Sequence, residues 1–228
     1  MNRAEIIIIG GGLMGVSTGL NLARSGRKVV LLEKEGCGRP ASAVIAGGVR
    51  RLNRAFAEIP ISVAAGEMWP RLEGIVGDDC GFHPVGQVRI APGEKEMQQL
   101  AERVARVESL GFSHEQIIDS DEVQRLVPAY GGKCKGGIVA RSDGHALPAR
   151  TLKAYYDAAA RAGVLFHKNW RVTDITHSRG SFTVKADDGR SLQSEIVVNC
   201  AGAWGKQVAS FLDDELPIEP VGLTMMVT

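Results

Sequence analysis

Hydrophobic residues first occur in one short uninterrupted run and then recur with helical or strand-like spacing. Residues 6–9 are four consecutive isoleucines, a run typical of a strand that is buried on both faces. Glycine follows at positions 10, 12 and 15, and a helical pattern leads to a second apolar run at residues 29–32. This order predicts a strand, a tight turn, a helix and a parallel second strand.

The rest of the chain predicts further helices and strands, apart from residues 36–54, which have no clear period and predict a long loop. Helices are predicted at residues 60–77 with a disturbance at Pro70, and at residues 93–110, 121–127, 148–162 and 205–212. Strands are predicted at residues 82–91 with a bulge at Gly86, and at residues 136–141, 164–167, 170–176, 181–186, 195–200 and 217–228.

The order of these elements predicts an α/β fold in which a Rossmann-like nucleotide-binding domain is interrupted by an α+β domain with an antiparallel sheet. Residues 1–80 are assigned to the first part of the nucleotide-binding domain, residues 81–142 to the insert and residues 143–214 to the second part. Residues 215–228 are expected to begin the return to the insert, and their abrupt apolar end indicates a sequence that is incomplete relative to this fold.

Composition excludes several classes of function. With 228 residues, 44% of them hydrophobic and 23% charged, the chain is typical of a soluble globular protein. A net charge of +1 and 5% aromatic residues leave no basic stripe or stacking platform for nucleic acid. The four cysteines lack metal-ligand spacing, and the sequence contains no GxSxG motif that would indicate a hydrolase.

Location is predicted from the absence of targeting signals. No segment approaches the length of about 18 apolar residues that an integral membrane helix needs. No secretory signal is visible, so we expect a cytoplasmic protein.

The glycine spacing after the first strand indicates a dinucleotide site. Gly10 permits the tight turn, Gly12 lets the backbone approach a pyrophosphate, and Gly15 lets the helix pack closely on the strand. The new helix would offer its N–H groups and its positive dipole end to the phosphates. Glu33 ends the second strand about 20 residues on, where a carboxylate accepts hydrogen bonds from a ribose and repels a 2′-phosphate, which favours FAD or NAD over NADP. A glycine-rich turn without a ligand is the alternative.

In combination, five motifs resemble those of the D-amino-acid-oxidase-type FAD-dependent oxidoreductases, a family that includes glycine oxidase, sarcosine oxidase and the D-amino-acid and hydroxyproline dehydrogenases. The resemblance covers nearly the whole chain, and it implies a Rossmann-like FAD-binding domain interrupted by a substrate domain. The motifs are residues 10–15 with Gly19, residues 33–34, residues 41–42 followed by 47–50, residues 143–145 with Pro148, and residues 200–204.

The resemblance also implies which residues hold non-covalent FAD. The glycine turn would hold the pyrophosphate with Ser42 nearby, and Glu33 would hold the adenosine ribose. Lys34 would lie beside the adenine, whose other contact would be the backbone of Val172. Residues 48–50 would pass along the flavin ring, with N–H groups near its N5 and O4. The complete implied set is Gly10, Gly11, Gly12, Leu13, Met14, Gly15, Glu33, Lys34, Ser42, Gly47, Gly48, Val49, Arg50, Val172, Ala201, Gly202 and Trp204.

The implied activity is oxidation of the C–N bond of an amino acid or secondary amine, by hydride transfer to flavin N5. No catalytic residue is assigned, because the flavin carries the chemistry and the protein supplies position and electrostatics. Arg50 could orient the flavin or a substrate carboxylate, and His145 could relay a proton or hold a turn. Two alternatives stay open, namely a non-catalytic fragment or flavin-binding subunit completed by another chain, and an NAD-dependent dehydrogenase. Substrate identity and the electron acceptor are not determined by the sequence.

Overall fold

The computed structural model describes residues 3–36, 38, 41–42 and 44–222, and it divides the chain into two units. The second unit contains the predicted insert together with three ranges that were predicted to belong to the nucleotide-binding domain, namely residues 47–75, 79–80 and 143–147. The assignment of functions to the two units stays a prediction. The first unit comprises Met1–Ala46, Val76–Asp78 and Pro148–Thr228, and the second comprises Gly47–Ile75 and Asp79–Leu147.

Strands and helices alternate along much of the described chain. The strands are β1 (Ile6–Ile9), β2 (Val29–Leu32), β3 (Gly48–Val49), β4 (Gln87–Ala91), β5 (Gln116–Asp119), β6 (Gly136–Ala140), β7 (Gly144–His145), β8 (Leu165–His167), β9 (Val172–Ser178), β10 (Ser181–Ala186), β11 (Ser191–Ser194) and β12 (Ile196–Asn199). The α-helices are α1 (Leu13–Arg24), α2 (Ile59–Met68), α3 (Leu72–Val76), α4 (Glu94–Ser109), α5 (Ser120–Leu126), α6 (Pro148–Arg161) and α7 (Gly205–Ser210). Short 3₁₀ turns occupy Phe56–Glu58, Trp69–Arg71 and Gly202–Trp204.

The first unit is built on a parallel sheet with the strand order β12-β1-β2-β8. All four isoleucines of β1 are buried because both faces of the sheet are covered. Ile8 approaches helix α1, which packs beside α6. Ile7 and Ile9 belong to a cluster with Ile175, Val184 and other residues of the antiparallel sheet β11-β10-β9. The predicted Rossmann-like architecture is confirmed.

The second unit contains the antiparallel sheet β4-β6-β5, as the predicted fold class requires. One face packs on helix α4 through a cluster that includes Leu100, Val104 and Ile138. The other face packs on helix α5 through Val123 and Val139. A separate two-stranded pair, β3 and β7, runs antiparallel.

Several predicted elements differ from the observed ones. The helix predicted at residues 60–77 is broken at Pro70 by a 3₁₀ turn, which agrees with the expected disturbance. The strand predicted at residues 82–91 begins only at Gln87, because Gly86 has a φ of +81° and turns the chain before the strand instead of forming a bulge within it. Residues 217–222 form no strand, and residues 223–228 lie outside the described part of the chain. Strands β5 and β11 were not predicted. None of the helices in the described ranges has the length and apolarity needed to span a bilayer.

Candidate functional site

The carboxyl ends of β1 and β12 meet at the point where the strand order of the parallel sheet reverses. Ligands of open α/β sheets bind at this kind of switch point. The N–H of Cys200 donates to the carbonyl of Ile9 at 2.8 Å, and the N–H of Gly10 donates to the carbonyl of Leu32 at 2.9 Å. Gly10 has a φ of +109°, and a Cβ there would stand 2.3 Å from the carbonyl oxygen of Cys200. Only glycine fits at this position.

Two further glycines, Gly12 and Gly15, allow close approaches around the start of helix α1. A Cβ on Gly15 would stand 1.9 Å from the carbonyl oxygen of Gly10, so the first turn of the helix lies directly over the strand end. A Cβ on Gly12 would stand 3.0 Å from Oγ of Ser42. These glycines form the bare backbone surface that a pyrophosphate needs in order to approach closely.

The N-terminus of α1 is electrostatically suited to an anion. Gly12 is the N-cap residue and has no side chain with which to cap the helix, and no acidic residue lies in the first turn. The N–H of Leu13 donates to Oγ of Ser42 at 3.0 Å, which places this predicted phosphate contact at the helix start. Met14 is 71% exposed there. The positive end of the helix dipole therefore favours an anion at this turn.

Glu33 ends β2 and is bound to the glycine turn. Its side chain is buried, and its two carboxylate oxygens accept hydrogen bonds from the N–H of Gly11 at 2.7 Å and from the N–H of Glu35 at 2.9 Å. The N–H of Trp170 also donates to the carbonyl of Glu33 at 2.9 Å. Because each carboxylate oxygen has a second lone pair, Glu33 can position the turn and still accept a hydrogen bond from a ribose hydroxyl.

Lys34 and Trp204, predicted from separate motifs, are in direct contact. Nζ of Lys34 lies 3.2 Å from the centroid of the Trp204 ring, a cation–π arrangement. Trp204 remains 40% exposed. The contact joins the end of β2 to the turn after β12.

The turn after β12 is held by one side chain. Oδ1 of Asn199 accepts a hydrogen bond from the N–H of Ala201 at 3.2 Å, and Nδ2 of Asn199 donates to the carbonyl of Gly205 at 2.8 Å. Gly202 has a φ of +56°, which glycine adopts without strain. Asn199 was not assigned a role from the sequence, although its position directly before the Cys200-Ala201-Gly202 turn was a usable signal.

Two more residues near these turns have defined environments. Val172, the first residue of β9, packs against the core cluster of the first unit. Burial raises the pKa of the Cys200 thiol, although a hydrogen bond with Thr18 acts in the opposite direction. Cys200 is therefore a neutral thiol at neutral pH and is not suited to act as a nucleophile.

The predicted flavin-ring segment, residues 48–50, lies in the second unit together with the predicted cofactor contact Gly47. Gly47 is buried with a φ of +74°, and Gly48 and Val49 form β3. Arg50 is exposed, and its carbonyl accepts a hydrogen bond from Nε of Arg54 at 3.0 Å.

The next residue, Arg51, has a buried partner that was not predicted from the sequence. Oδ1 of Asp143 accepts a hydrogen bond from Nε of Arg51 at 2.9 Å, and Oδ2 accepts from the N–H groups of Arg51 at 2.7 Å and Leu52 at 2.8 Å. Asp143 is only 1% exposed. This carboxylate fixes the path of the chain directly after residues 47–50.

A second buried carboxylate holds the same loop. Both oxygens of Glu115 accept hydrogen bonds from Arg103 at 2.8 Å, and one of them also accepts from the N–H of Asn53 at 2.6 Å. Glu115 is 2% exposed. Both carboxylates come from sequence positions far from the loop, and only the fold brings them to it.

Residues 5–228 match the DAO family of FAD-dependent oxidoreductases. The chain belongs to this family. The resemblance drawn from the motifs and the expectation of FAD as cofactor are thereby confirmed.

Similar proteins are much longer than this chain. Human mitochondrial dimethylglycine dehydrogenase is 29% identical over 100% of this chain and 26% of its own length. A subunit of opine oxidase from Rhizobium meliloti is 26% identical over 96% of this chain and 62% of its own length. The crystal structure of glycine oxidase from Geobacillus kaustophilus superposes with a TM-score of 0.84 at 23% identity, covering 93% of this chain and 59% of that one.

Proposed function

We propose that this chain forms the FAD-binding part of an enzyme that oxidises the C–N bond of an amino acid or secondary amine. The observation that carries the proposal is the glycine turn at the switch point, where a Cβ on Gly10 or Gly15 would lie within 2.3 Å of a backbone oxygen. When bound, the flavin supplies the oxidising chemistry by taking a hydride from the carbon next to nitrogen, which leaves an imine for water to hydrolyse.

The chain's own residues would bind and orient the cofactor. The bare start of α1 would hold the pyrophosphate through backbone N–H groups and the helix dipole, with Ser42 beside it. Glu33 would accept from the adenosine ribose while its bond to Gly11 keeps the turn in place. Lys34 and Trp204, already paired, would border the adenine together with the backbone of Val172.

The remaining proposed cofactor contacts lie in the turn after β12 and, within the second unit, in residues 48–50. Ala201 and Gly202 would present the backbone after β12, which Asn199 holds in position. Residues 48–50 would pass along the flavin ring, and the buried Asp143 anchors the chain directly after them.

The names of the relatives support the substrate class. Dimethylglycine dehydrogenase and glycine oxidase are both named for an amino acid or its methylated derivative. A small amino acid or amine is therefore the proposed substrate. The family match does not favour the non-catalytic alternative, and a family that depends on FAD does not favour an NAD-dependent dehydrogenase.

A partner chain is proposed on separate grounds. The opine oxidase relative is named as one subunit of its enzyme, which supports the proposal that a second polypeptide contributes to the complete enzyme here. Nucleic acid is not proposed as a partner, because the net charge is +1. Cytoplasmic location stays a prediction.

The first experiment is a titration of the purified chain with FAD, followed by desalting and measurement of the flavin absorbance that remains with the protein. Retention of one flavin per chain is the expected result. A screen of amino acids and secondary amines under anaerobic conditions would then follow loss of the oxidised flavin absorbance. Failure to bind FAD at any concentration would contradict the proposal, and binding without reduction by any amine would contradict the substrate class.

A further inference from the structure

A polar cleft of about 310 Å³ lies within the second unit. Its wall contains the guanidinium groups of Arg51 and Arg141 and the imidazole of His114. The apolar side chains of Val63 and Phe112 line the same wall. Cationic planar groups beside apolar surface are typical of sites that recognise an organic anion.

Arg51 is held rigidly at this cleft. Its Nε donates to the buried Asp143 at 2.9 Å, and its side chain is only 16% exposed. A Cβ on Gly66 would lie 2.8 Å from Cδ of Arg51, so helix α2 packs closely on the stem of the arginine. In the described part of the chain, the two terminal nitrogens of this guanidinium have no hydrogen-bond acceptor. A pre-ordered guanidinium with unused donors can bind a carboxylate in a fork-like geometry.

His114 is an unpartnered polar group in the same wall. Its side chain is 5% exposed, and neither ring nitrogen has a hydrogen-bond partner among the described residues. Its ring lies edge-on to Phe112, with centroids 6.3 Å apart. Nε2 is 3.9 Å from Oε1 of Glu115, which is already bonded to Arg103. The backbone of Arg51 approaches the ring closely enough to raise its pKa, but it does not complete a hydrogen bond with either nitrogen. Because buried polar groups in native proteins are normally hydrogen-bonded, His114 has capacity for a further partner.

We propose that this cleft binds a small organic carboxylate. Arg51 and Arg141 would hold the carboxylate group, the imidazole of His114 would donate to it, and Phe112 and Val63 would contact the apolar body of the ligand. The apolar part of the wall favours an organic acid over an inorganic anion. Arg141 can serve this role because its hydrogen bonds to Gln116 and Glu122 are exposed to solvent, where a ligand can reach the guanidinium group.

The charges that face His114 predict how binding depends on pH. Burial is the main cause that lowers the pKa of His114, and the charge of Arg51 acts in the same direction, whereas Glu115, Asp143 and the backbone of Arg51 raise it. A bound carboxylate adds a negative charge and therefore favours the protonated ring. By linkage, the ligand binds more tightly as the pH falls toward and below the ordinary histidine pKa of about 6.5.

The test uses isobutyrate as the probe and follows the backbone and imidazole NMR signals of the full chain, with and without saturating FAD. We expect saturable shifts at residues of the cleft with a dissociation constant in the millimolar range. Arg141→Gln should weaken binding at least tenfold, and Arg125→Gln, an exposed arginine on α5 that does not line the cleft, should leave it unchanged. His114→Phe should remove the dependence on pH.

Inorganic phosphate is titrated in a separate arm. Phosphate that binds as tightly as isobutyrate would show that the apolar wall is not used and would overturn the assignment to an organic acid. Shifts that do not saturate, or equal affinities for Arg141→Gln and Arg125→Gln, would overturn the site itself. Because the measurement does not depend on FAD, its failure is distinguishable from failure of the proposed oxidoreductase function.

Discussion

The carboxylate of Glu33 accepts a 2.7 Å hydrogen bond from the backbone N–H of Gly11, so the residue predicted to bind a ribose also fixes the turn that would hold the phosphates. Its second oxygen accepts from the N–H of Glu35. The end of β2 and the turn after β1 are therefore one hydrogen-bonded unit. A change at Glu33 should affect protein stability and cofactor affinity together.

Substitution of Glu33 by Gln tests this double role. Glutamine has one acceptor oxygen, so its NH₂ group must face one of the two N–H donors and leaves that donor unsatisfied. We expect a loss of about 1–3 kcal/mol in the free energy of unfolding and weaker FAD binding, measured by urea denaturation and by flavin fluorescence. Glu35→Gln is the matched control, because its exposed side chain undergoes the same change of charge. Equal effects of the two variants would contradict the role given to Glu33.

The glycine turn predicts a steric result at Gly15. Gly15→Ala puts a Cβ 1.9 Å from the carbonyl oxygen of Gly10, so helix α1 must move away from the strand end. We expect FAD binding to be lost and the free energy of unfolding to fall by about 1–3 kcal/mol, the usual cost of overpacking. Retention of flavin after desalting is the measurement.

Gly74→Ala is the control for the Gly15 variant. A Cβ on Gly74 meets nothing within 4 Å, and the residue lies in helix α3. Alanine there should keep or raise stability by up to about 1 kcal/mol, because it lowers the conformational entropy of the unfolded chain. Retention of one FAD per chain by the Gly15→Ala protein would contradict the assignment of the glycine turn as the phosphate site.

The buried pair of Arg51 and Asp143 predicts a large effect on stability. Asp143→Asn removes the charge opposite a guanidinium whose side chain is only 16% exposed. Breaking a buried pair leaves one charge without compensation and costs about 3–5 kcal/mol. Thermal and urea unfolding would measure this loss. In contrast, Asp157→Asn, which breaks the exposed pair with Lys153, should change stability by less than about 0.5 kcal/mol.

His114 predicts how stability depends on pH. Burial lowers its pKa in the folded chain, so the unfolded chain binds the proton more readily. Above the ordinary pKa of histidine the ring is neutral in both states, and the folded chain keeps its full stability. As the pH falls below that value, toward and through the lowered pKa of the folded chain, the free energy of unfolding decreases.

Urea unfolding of the wild type and of His114→Phe between about pH 8 and about pH 5 measures this contribution. The stability of the wild type should fall more steeply with decreasing pH than that of the variant. His177→Gln, at an exposed position on β9, should keep the wild-type slope. Parallel curves for the wild type and His114→Phe would contradict the prediction.

The first βαβ unit and its cofactor could be predicted from the sequence because the interactions that define them are local. Four isoleucines require a strand buried on both faces, and three spaced glycines followed by a helix and an acidic strand end describe one kind of phosphate site. The interrupted α/β architecture was also predictable, because the order of segments with helical and with strand-like hydrophobic spacing along the chain indicates it. Short strands such as β5 and β11 were missed, because four residues with exposed polar positions give too weak a period.

Only the tertiary structure decided which polar residues are buried partners. The resemblance indicated Arg50 as a cofactor contact, and only the fold shows that its neighbour Arg51 is buried against Asp143, 92 residues away. It also pairs Lys34 with Trp204 and leaves both nitrogens of His114, within the described part of the chain, unpartnered at a cleft. Periodicity is a property of neighbouring residues and is written in the sequence, but hydrogen bonds between distant residues depend on the distance and angle that packing imposes, and these exist only once the chain is folded.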